Sequence, residues 1–209
     1  MDYVPADPSE VPADRSDMPA GPSGRPDGSV PTPLKILVAG GFGVGKTTLV
    51  GTLSEIPPLT TEEPMTELSV GVDDVGGVPE KRSTTVAMDF GRITVDDSLI
   101  LYLFGTPGQA RFWFMWDELA SGAVGAVVLV DLRRIDDCFP AIDYFENRGL
   151  PFVVAVNEFP DTAEFADVAV RDALVLPEDV PLVRADARDG GSGLATLISL
   201  VEHALARAA

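Results

Sequence analysis

The residues with the clearest capacity for chemistry lie in one stretch, Gly40-Gly41-Phe42-Gly43-Val44-Gly45-Lys46-Thr47-Thr48. It fits the phosphate-loop pattern G-x-x-x-x-G-K-[ST], in which glycines let consecutive backbone N–H groups turn inward around a phosphate. In that pattern the Lys46 ammonium neutralises the β- and γ-phosphates, and the Thr47 hydroxyl ligates Mg²⁺. The stretch therefore predicts a nucleotide-binding loop at the start of a helix, where the backbone already favours negative charge.

The elements around this loop are the ones that would hold it in place. An apolar run at 34–39 is typical of a buried strand, and 47–56 predicts the helix behind the loop. The acidic pair Asp96-Asp97 predicts a hairpin, which makes one strand antiparallel to the rest. The further predicted strands are 84–95, 98–104, 124–131, 152–157 and 181–185; the further helices run to 120, over 135–148, over 164–174, and from a cap at Ser192.

Alternating strands and helices after a phosphate loop predict an α/β fold of the P-loop NTPase type. Its sheet would be mainly parallel, with one antiparallel strand and helices on both faces. The last helix is expected to bury one apolar face, made of Leu194, Leu197, Leu200, Val201 and Leu205.

Composition limits the classes of function. Residues 1–33 are rich in Pro, Asp, Ser and Gly and predict a disordered acidic tail before a single domain over 34–209. The net charge of −18 over 209 residues argues against nucleic acid as a partner. Cys138 is the only cysteine, which excludes a disulfide framework and favours a reducing cytoplasm. The longest apolar run, 123–130, is too short to span a bilayer, so any membrane association is expected through a partner.

The order of motifs resembles that of the small GTPases over about 34–208. A phosphate loop and helix precede a long loop ending in Thr84-Thr85, then a hairpin and Gly105-Thr106-Pro107-Gly108-Gln109. The pattern is most similar to the bacterial Ras-like group that includes the conservon GTPases and the MglA-type polarity GTPases. The resemblance implies GTP or GDP and Mg²⁺ as cofactors.

The resemblance also assigns roles to residues in the second and third loops. Thr85, or its neighbour Thr84, would coordinate Mg²⁺, unless the pair only opens a strand. Gly108 would offer its N–H to the γ-phosphate, and Gln109 would orient the attacking water. Arg82 has the spacing of the arginine that large Gα proteins supply in cis, although a solvated surface charge is the alternative.

Two positions depart from the small-GTPase pattern on the phosphate side. Phe42 stands where a glycine is usual, and its ring would crowd the γ-phosphate and slow hydrolysis. Gly105 stands where an aspartate normally holds a Mg²⁺-bound water, as also happens in MglA-type proteins. Asp89, on the preceding strand, is the residue that could restore a carboxylate there.

The base-binding loops are weaker matches. Asn157 begins the fourth loop, but Glu158 replaces its lysine and the aspartate is lost or displaced to Asp161. The fifth loop is represented by Asp186-Ala187-Arg188, where the Ala187 N–H would meet the base carbonyl. Preference for guanine is therefore implied by the resemblance and not by this motif.

The aromatic row 112–116 follows Gln109 directly. In GTPases this segment is a surface that partners bind, so Trp113 and Trp116 are candidate anchors, with core packing as the alternative. The resemblance implies a roadblock/LC7-type protein and a sensor-kinase-like membrane protein as partners.

Three functional hypotheses follow. The first is a GTP-binding switch with slow hydrolysis and nucleotide-dependent protein contacts. The second is a P-loop ATPase or kinase that uses Asp131, at the end of an apolar strand, as a Walker-B carboxylate. The third is a module that binds nucleotide without hydrolysing it.

Overall fold

A seven-stranded sheet lies at the centre of the part of the chain that the structure, a computed structural model, describes. The described residues are 30–57, 59–60, 88–108, 110–160 and 162–208. The strands lie in the order β2-β3-β4-β1-β5-β6-β7. Their bounds are β1 Thr32–Ala39, β2 Leu59–Thr60, β3 Asp89–Thr94, β4 Leu99–Gly105, β5 Ala123–Val130, β6 Phe152–Asn157 and β7 Leu182–Ala185.

Strand direction confirms the predicted fold class. β3 runs antiparallel to both of its neighbours, whereas β4, β1, β5, β6 and β7 pair in parallel. The hairpin between β3 and β4 turns at the predicted acidic pair, where the Asp96 carboxylate accepts hydrogen bonds from the N–H and hydroxyl of Ser98. This side-chain bond is the usual reason that aspartate is favoured in tight turns.

Five α-helices and two 3₁₀ helices are described. The α-helices are α1 Lys46–Leu53, α2 Trp116–Ala120, α3 Phe139–Arg148, α4 Asp167–Ala173 and α5 Gly190–Ala208; the 3₁₀ helices are Ala110–Met115 and Leu132–Cys138. The predicted cap at Ser192 is wrong, because α5 already begins at Gly190. The Asp189 carboxylate caps it instead, accepting the Ser192 N–H at 2.8 Å.

The core lies on both faces of the sheet. On one face Leu37, Val128 and Val154 pack in a buried cluster with Ile142 and Phe145 of α3. The other face carries Ile36, Val38 and Val127 against residues of α1 and α5. Each large apolar side chain buried in this way stabilises the fold by about 1.5–3 kcal/mol.

The predicted apolar face of α5 is only partly correct. Leu197 and Leu200 are buried, but Leu194 and Leu205 are exposed, because the sheet covers a narrower stripe than the sequence suggested. Among the described residues, no helix is long and apolar enough to cross a membrane. Residues 1–29 lie outside the described residues, so the disordered tail remains a prediction there. Its predicted end at residue 33 is wrong, because Thr32 and Pro33 already belong to β1.

Candidate functional site

The candidate site lies where the parallel strands end. β1, β4, β5, β6 and β7 all finish at one edge of the sheet, since they run in the same direction. The loops that leave this edge carry almost every described residue that the sequence marked for chemistry. Ligands of open parallel sheets bind at this edge.

The glycines of the phosphate loop are required by its shape. Gly40, Gly43 and Gly45 have φ angles of +131°, +73° and +107°, a region that other residues rarely enter. A Cβ on Gly40 would lie 2.4 Å from the Leu129 carbonyl oxygen, and one on Gly45 would lie 2.7 Å from Asn157 Nδ2. The loop is therefore pressed against β5 and β6, in the form expected of a phosphate cradle.

Lys46 is held inside the loop. Its Nζ donates to the carbonyl oxygens of Gly40 at 3.0 Å and Gly41 at 2.7 Å. Burial lowers the pKa of Lys46 to about 8, an effect that the Asp89 carboxylate partly opposes. A buried cation with only carbonyl partners lacks a full counter-charge, which is the electrostatic condition that favours binding an anion there.

The third loop lies directly on the phosphate loop. A Cβ on Gly108 would meet Lys46 Nζ at 2.6 Å and the Gly41 carbonyl oxygen at 3.0 Å, so only glycine fits so closely. The two residues before Gly108 are also held in place by hydrogen bonds. The Thr106 N–H donates to the Val38 carbonyl at 2.8 Å, and the Trp116 indole donates to the Pro107 carbonyl at 3.3 Å.

Thr47 and Asp89 meet beside this loop. The Thr47 hydroxyl donates to Asp89 Oδ2 at 2.7 Å. Asp89 is the partner of Gly105 in the antiparallel register of β3 and β4. The carboxylate foreseen as a possible replacement thus lies within reach of the threonine predicted to ligate Mg²⁺.

Asn157 joins two loops from the buried end of β6. Its Nδ2 donates to the Val44 carbonyl, and its Oδ1 accepts the Ala187 N–H, both at 2.9 Å. The Ala187 N–H is therefore engaged within the protein. The predicted contact of this N–H with a base carbonyl would require that hydrogen bond to be given up.

The rest of the fifth loop is paired with itself. The Asp186 carboxylate accepts from Nε and Nη2 of Arg188, both at 2.8 Å. These hydrogen bonds lower the pKa of Asp186 to about 2. The two side chains therefore use their polar atoms on each other.

Asp131 is paired with Arg133. Its carboxylate accepts from the backbone N–H, Nε and Nη2 of Arg133 at 2.8–3.0 Å, and its side chain is 3% exposed. The Arg133 guanidinium in turn lies 3.9 Å from the centre of the Phe159 ring. These contacts do not support the interpretation of Asp131 as a Walker-B carboxylate, since the Thr47 hydroxyl contacts Asp89 instead.

Arg134 contacts the phosphate loop, which the sequence did not suggest. Its Nη2 donates to the Phe42 carbonyl at 2.6 Å and lies 3.6 Å from the place where a Cβ on Gly43 would stand. The Phe42 side chain is 65% exposed. No local motif marks Arg134, because its approach depends on the non-helical backbone that it adopts within the second 3₁₀ helix.

The aromatic row divides into two sets. Phe112 and Trp116 are buried, whereas Trp113 and Phe114 are 42% and 69% exposed. Trp116 stacks on Phe145 of α3 with ring centres 5.8 Å apart. The expectation that Trp116 is a partner anchor is therefore wrong, because α3 covers its ring.

Several predicted residues lie outside the described residues. These are Gln109 and Arg82, predicted to act in hydrolysis; Thr85 and Thr84, predicted to bind magnesium; and Asp161, predicted to bind the base. Their roles stay predictions.

Together, the antiparallel β3, the parallel strands and the phosphate loop after β1 define a P-loop protein with the small-GTPase fold. Residues 38–207 match the family described as "conserved hypothetical ATP binding protein". The chain belongs to that family. The predicted small-GTPase-like fold is confirmed, whereas the finer likeness to the conservon and MglA group remains a proposal.

Two relatives of known sequence match much of the chain. The uncharacterized protein MJ1339 of Methanocaldococcus jannaschii is 31% identical over 127 residues, which are 60% of this chain and 70% of that protein. ADP-ribosylation factor-like protein 3 of Saccharomyces cerevisiae is 27% identical over 162 residues, covering 68% of this chain and 74% of that protein.

Solved structures show the fold alone. The cytosolic domain of the T. maritima FeoB iron transporter in a GDP form is 17% identical, with a TM-score of 0.60 over 84% of this chain. This chain spans 65% of that domain. The G domain of the same transporter is 19% identical, with a TM-score of 0.57, and 83% of this chain covers 99% of it.

Proposed function

We propose that the protein is a molecular switch that binds GTP or GDP with Mg²⁺ and hydrolyses GTP slowly. Water would attack the γ-phosphate to give GDP and phosphate, and the two nucleotide states would offer different surfaces to a protein partner. The observation that carries this proposal is the position of the third loop, between Lys46 and the aromatic row.

One series of contacts supports the coupling of phosphate to surface. Gly108 lies against Lys46, and Pro107 next to it accepts the Trp116 indole N–H. Trp116 lies at the start of α2, while Trp113 is exposed one turn earlier. A γ-phosphate that moved Gly108 would therefore also displace the segment that carries Trp113. In other switches, such segments become ordered or disordered when the nucleotide changes.

The residues present fit a magnesium nucleotide. Lys46 would hold the phosphates, and Thr47 with a nearby carboxylate offers the oxygen ligands that Mg²⁺ prefers. When bound, the ion supplies charge neutralisation at the phosphates. Slow hydrolysis is supported by Phe42, which stands in place of a glycine.

Tryptophan fluorescence gives a direct test, because the chain has only two tryptophans, at 113 and 116. We expect the emission to differ between GDP and a non-hydrolysable GTP analogue, and Trp113→Phe to remove most of that difference. Nucleotide released from the denatured protein would be identified in parallel. Identical emission with both nucleotides would contradict the switch, even if both bind.

A second candidate is an adenine-nucleotide protein of the same fold. It is favoured by the family description and by the base side of the site, where Asn157, Ala187 and Asp186 all bond within the protein. Competition between ATP and GTP for a fluorescent nucleotide distinguishes the two. We expect guanine to be preferred modestly, and ATP competing as well as GTP would favour this second candidate.

The proposed partner surface is the exposed part of the aromatic row. Trp113 and Phe114 could each bury a large apolar ring in a partner, and such rings often dominate binding energy. A roadblock/LC7-type protein is the first partner to try, followed by a sensor-kinase-like membrane protein. Titration of wild type, Trp113→Ala and Phe114→Ala in both nucleotide states should show weaker binding in both variants; equal binding throughout would contradict this surface.

A further inference from the structure

Gly105 and Asp89 occupy facing positions on neighbouring strands. They are register partners at the site end of the β3–β4 ladder. A Cβ on Gly105 would lie 2.9 Å from Asp89 Oδ2 and 3.0 Å from the Asp89 Cβ. The space that a side chain on residue 105 would need is therefore already filled by the Asp89 carboxyl group. A carboxylate at position 105 would therefore require the Asp89 side chain to move.

The Asp89 carboxylate also reaches the phosphate loop. Its Oδ2 accepts the Thr47 hydroxyl at 2.7 Å, and its charge acts on Lys46. A hydroxyl and a carboxylate oxygen at this separation are the hard oxygen donors that Mg²⁺ binds. No group of three or more His, Cys, Asp or Glu residues forms a metal site within the described ranges. A magnesium site of the P-loop kind needs none, since phosphates and waters complete it.

We propose that Asp89 is the carboxylate of the magnesium site, moved across the ladder from position 105 to its partner on β3. The inference rests on the proposed nucleotide function and adds the residue that holds the ion together with Thr47. It explains how a chain without the third-loop aspartate keeps a carboxylate at this point. The glycine at 105 then makes room for the Asp89 side chain.

The first test compares nucleotide release with and without magnesium. Dissociation of a fluorescent GDP would be measured in excess Mg²⁺ and in EDTA, for wild type, Asp89→Asn and Asp143→Asn. Asp143 is exposed on α3, so its variant changes the net charge equally without touching the site. We expect Mg²⁺ to slow release in wild type and in Asp143→Asn, and this effect to fall by about tenfold or more in Asp89→Asn.

Metal affinity gives a readout that does not depend on turnover. Mn²⁺ would be titrated into the GDP complexes and followed by electron paramagnetic resonance. Asp89→Asn should bind Mn²⁺ about tenfold more weakly, since loss of a supporting group at a metal site usually has at least this effect. Thermal denaturation of each protein shows whether the variant is folded.

The relocation itself is tested by moving the carboxylate back. Gly105→Asp alone should be destabilised or release nucleotide faster, because two carboxyl groups would compete for one space. The double variant Asp89→Gly, Gly105→Asp should regain the magnesium effect that Asp89→Asn and Asp89→Gly lose.

The outcomes separate the two proposals. A wild type that binds no nucleotide overturns the proposed function, and the role of Asp89 with it. A wild type that responds to magnesium, with an equal response in Asp89→Asn, overturns the role of Asp89 alone. A double variant that remains as insensitive to magnesium as Asp89→Gly overturns the relocation.

Discussion

The phosphate side and the base side of the site use their polar groups differently. On the phosphate side, Lys46 is buried against backbone carbonyls, which leaves its charge without a full partner. On the base side, Asn157 and Asp186 are satisfied by other groups of the protein. The first arrangement has capacity for a ligand, whereas the second mainly fixes the shape of its loops.

This difference indicates where binding energy would come from. A charged group that exchanges carbonyl contacts for a phosphate gains a strong, charge-assisted interaction. A group that must break one protein hydrogen bond to form another with a base gains little. We therefore expect affinity to arise from the phosphates and discrimination between bases to be modest.

The largest expected effect is that of Lys46→Ala. Removing a charge-assisted contact to phosphate should weaken nucleotide binding by about 100-fold, since each 1.4 kcal/mol is a factor of ten. Isothermal titration calorimetry measures the loss. Lys35→Ala is the control, because Lys35 lies on β1 and donates to the Ser121 carbonyl away from the site. Unchanged affinity in Lys46→Ala would show that the phosphate side does not bind as proposed.

Asn157→Ala tests the structural role of the base side. The variant leaves the buried Val44 carbonyl and Ala187 N–H without partners, which should lower the free energy of unfolding by about 2 kcal/mol. It should also weaken GTP and ATP equally, since the shared phosphate loop is disturbed. Urea denaturation and competition assays measure both effects, with exposed Asn147→Ala on α3 as control. A selective loss of GTP binding would instead make Asn157 a base-reading residue.

The sequence was sufficient for the fold and for the phosphate loop, because both depend on local patterns. Strand-length apolar runs predict strands, the acidic pair predicts a turn, and the spacing of four glycines predicts the phosphate loop. The β6 bounds were predicted to the residue, and the antiparallel strand followed from Asp96-Asp97 alone. Such features need no knowledge of what lies across the sheet.

The features that could not be predicted from the sequence depend on contacts between distant segments of the chain. Asp89 reaches Thr47 only because β3 and β4 pair in one register, and Arg134 reaches Phe42 across 92 residues. The sequence does not show that Asp131 is paired, because its partner Arg133 reaches it only through the fold of the following turn. Trp116 looked like a surface anchor because a row of aromatics does not show which of them α3 will cover.

Phe42→Gly tests whether the Phe42 ring slows hydrolysis on the phosphate side of the site. The variant keeps the backbone carbonyl that Arg134 binds and removes only the ring, so the loop should hold its shape. We expect single-turnover GTP hydrolysis to rise severalfold, with affinity nearly unchanged, because the attacking water would gain room. Phe165→Ala, another exposed phenylalanine, is the control. Hydrolysis that stays constant or falls would show that the ring does not obstruct the reaction.

The smallest expected effect belongs to Arg188→Gln, on the base side. In the folded protein Arg188 lowers the pKa of Asp186 from 3.8 to about 2, so the pair stabilises the fold above pH 4 and this contribution is lost as the pH falls toward 2. The variant should lower the melting temperature slightly at pH 5 and approach wild type as the pH falls through about 2. At pH 7 its affinities for GTP and ATP should each stay within about threefold of wild type, or about 0.7 kcal/mol. A larger loss of affinity confined to GTP would mean that the fifth loop opens and contacts guanine. The base side would then bind ligand directly, as the phosphate side is proposed to do.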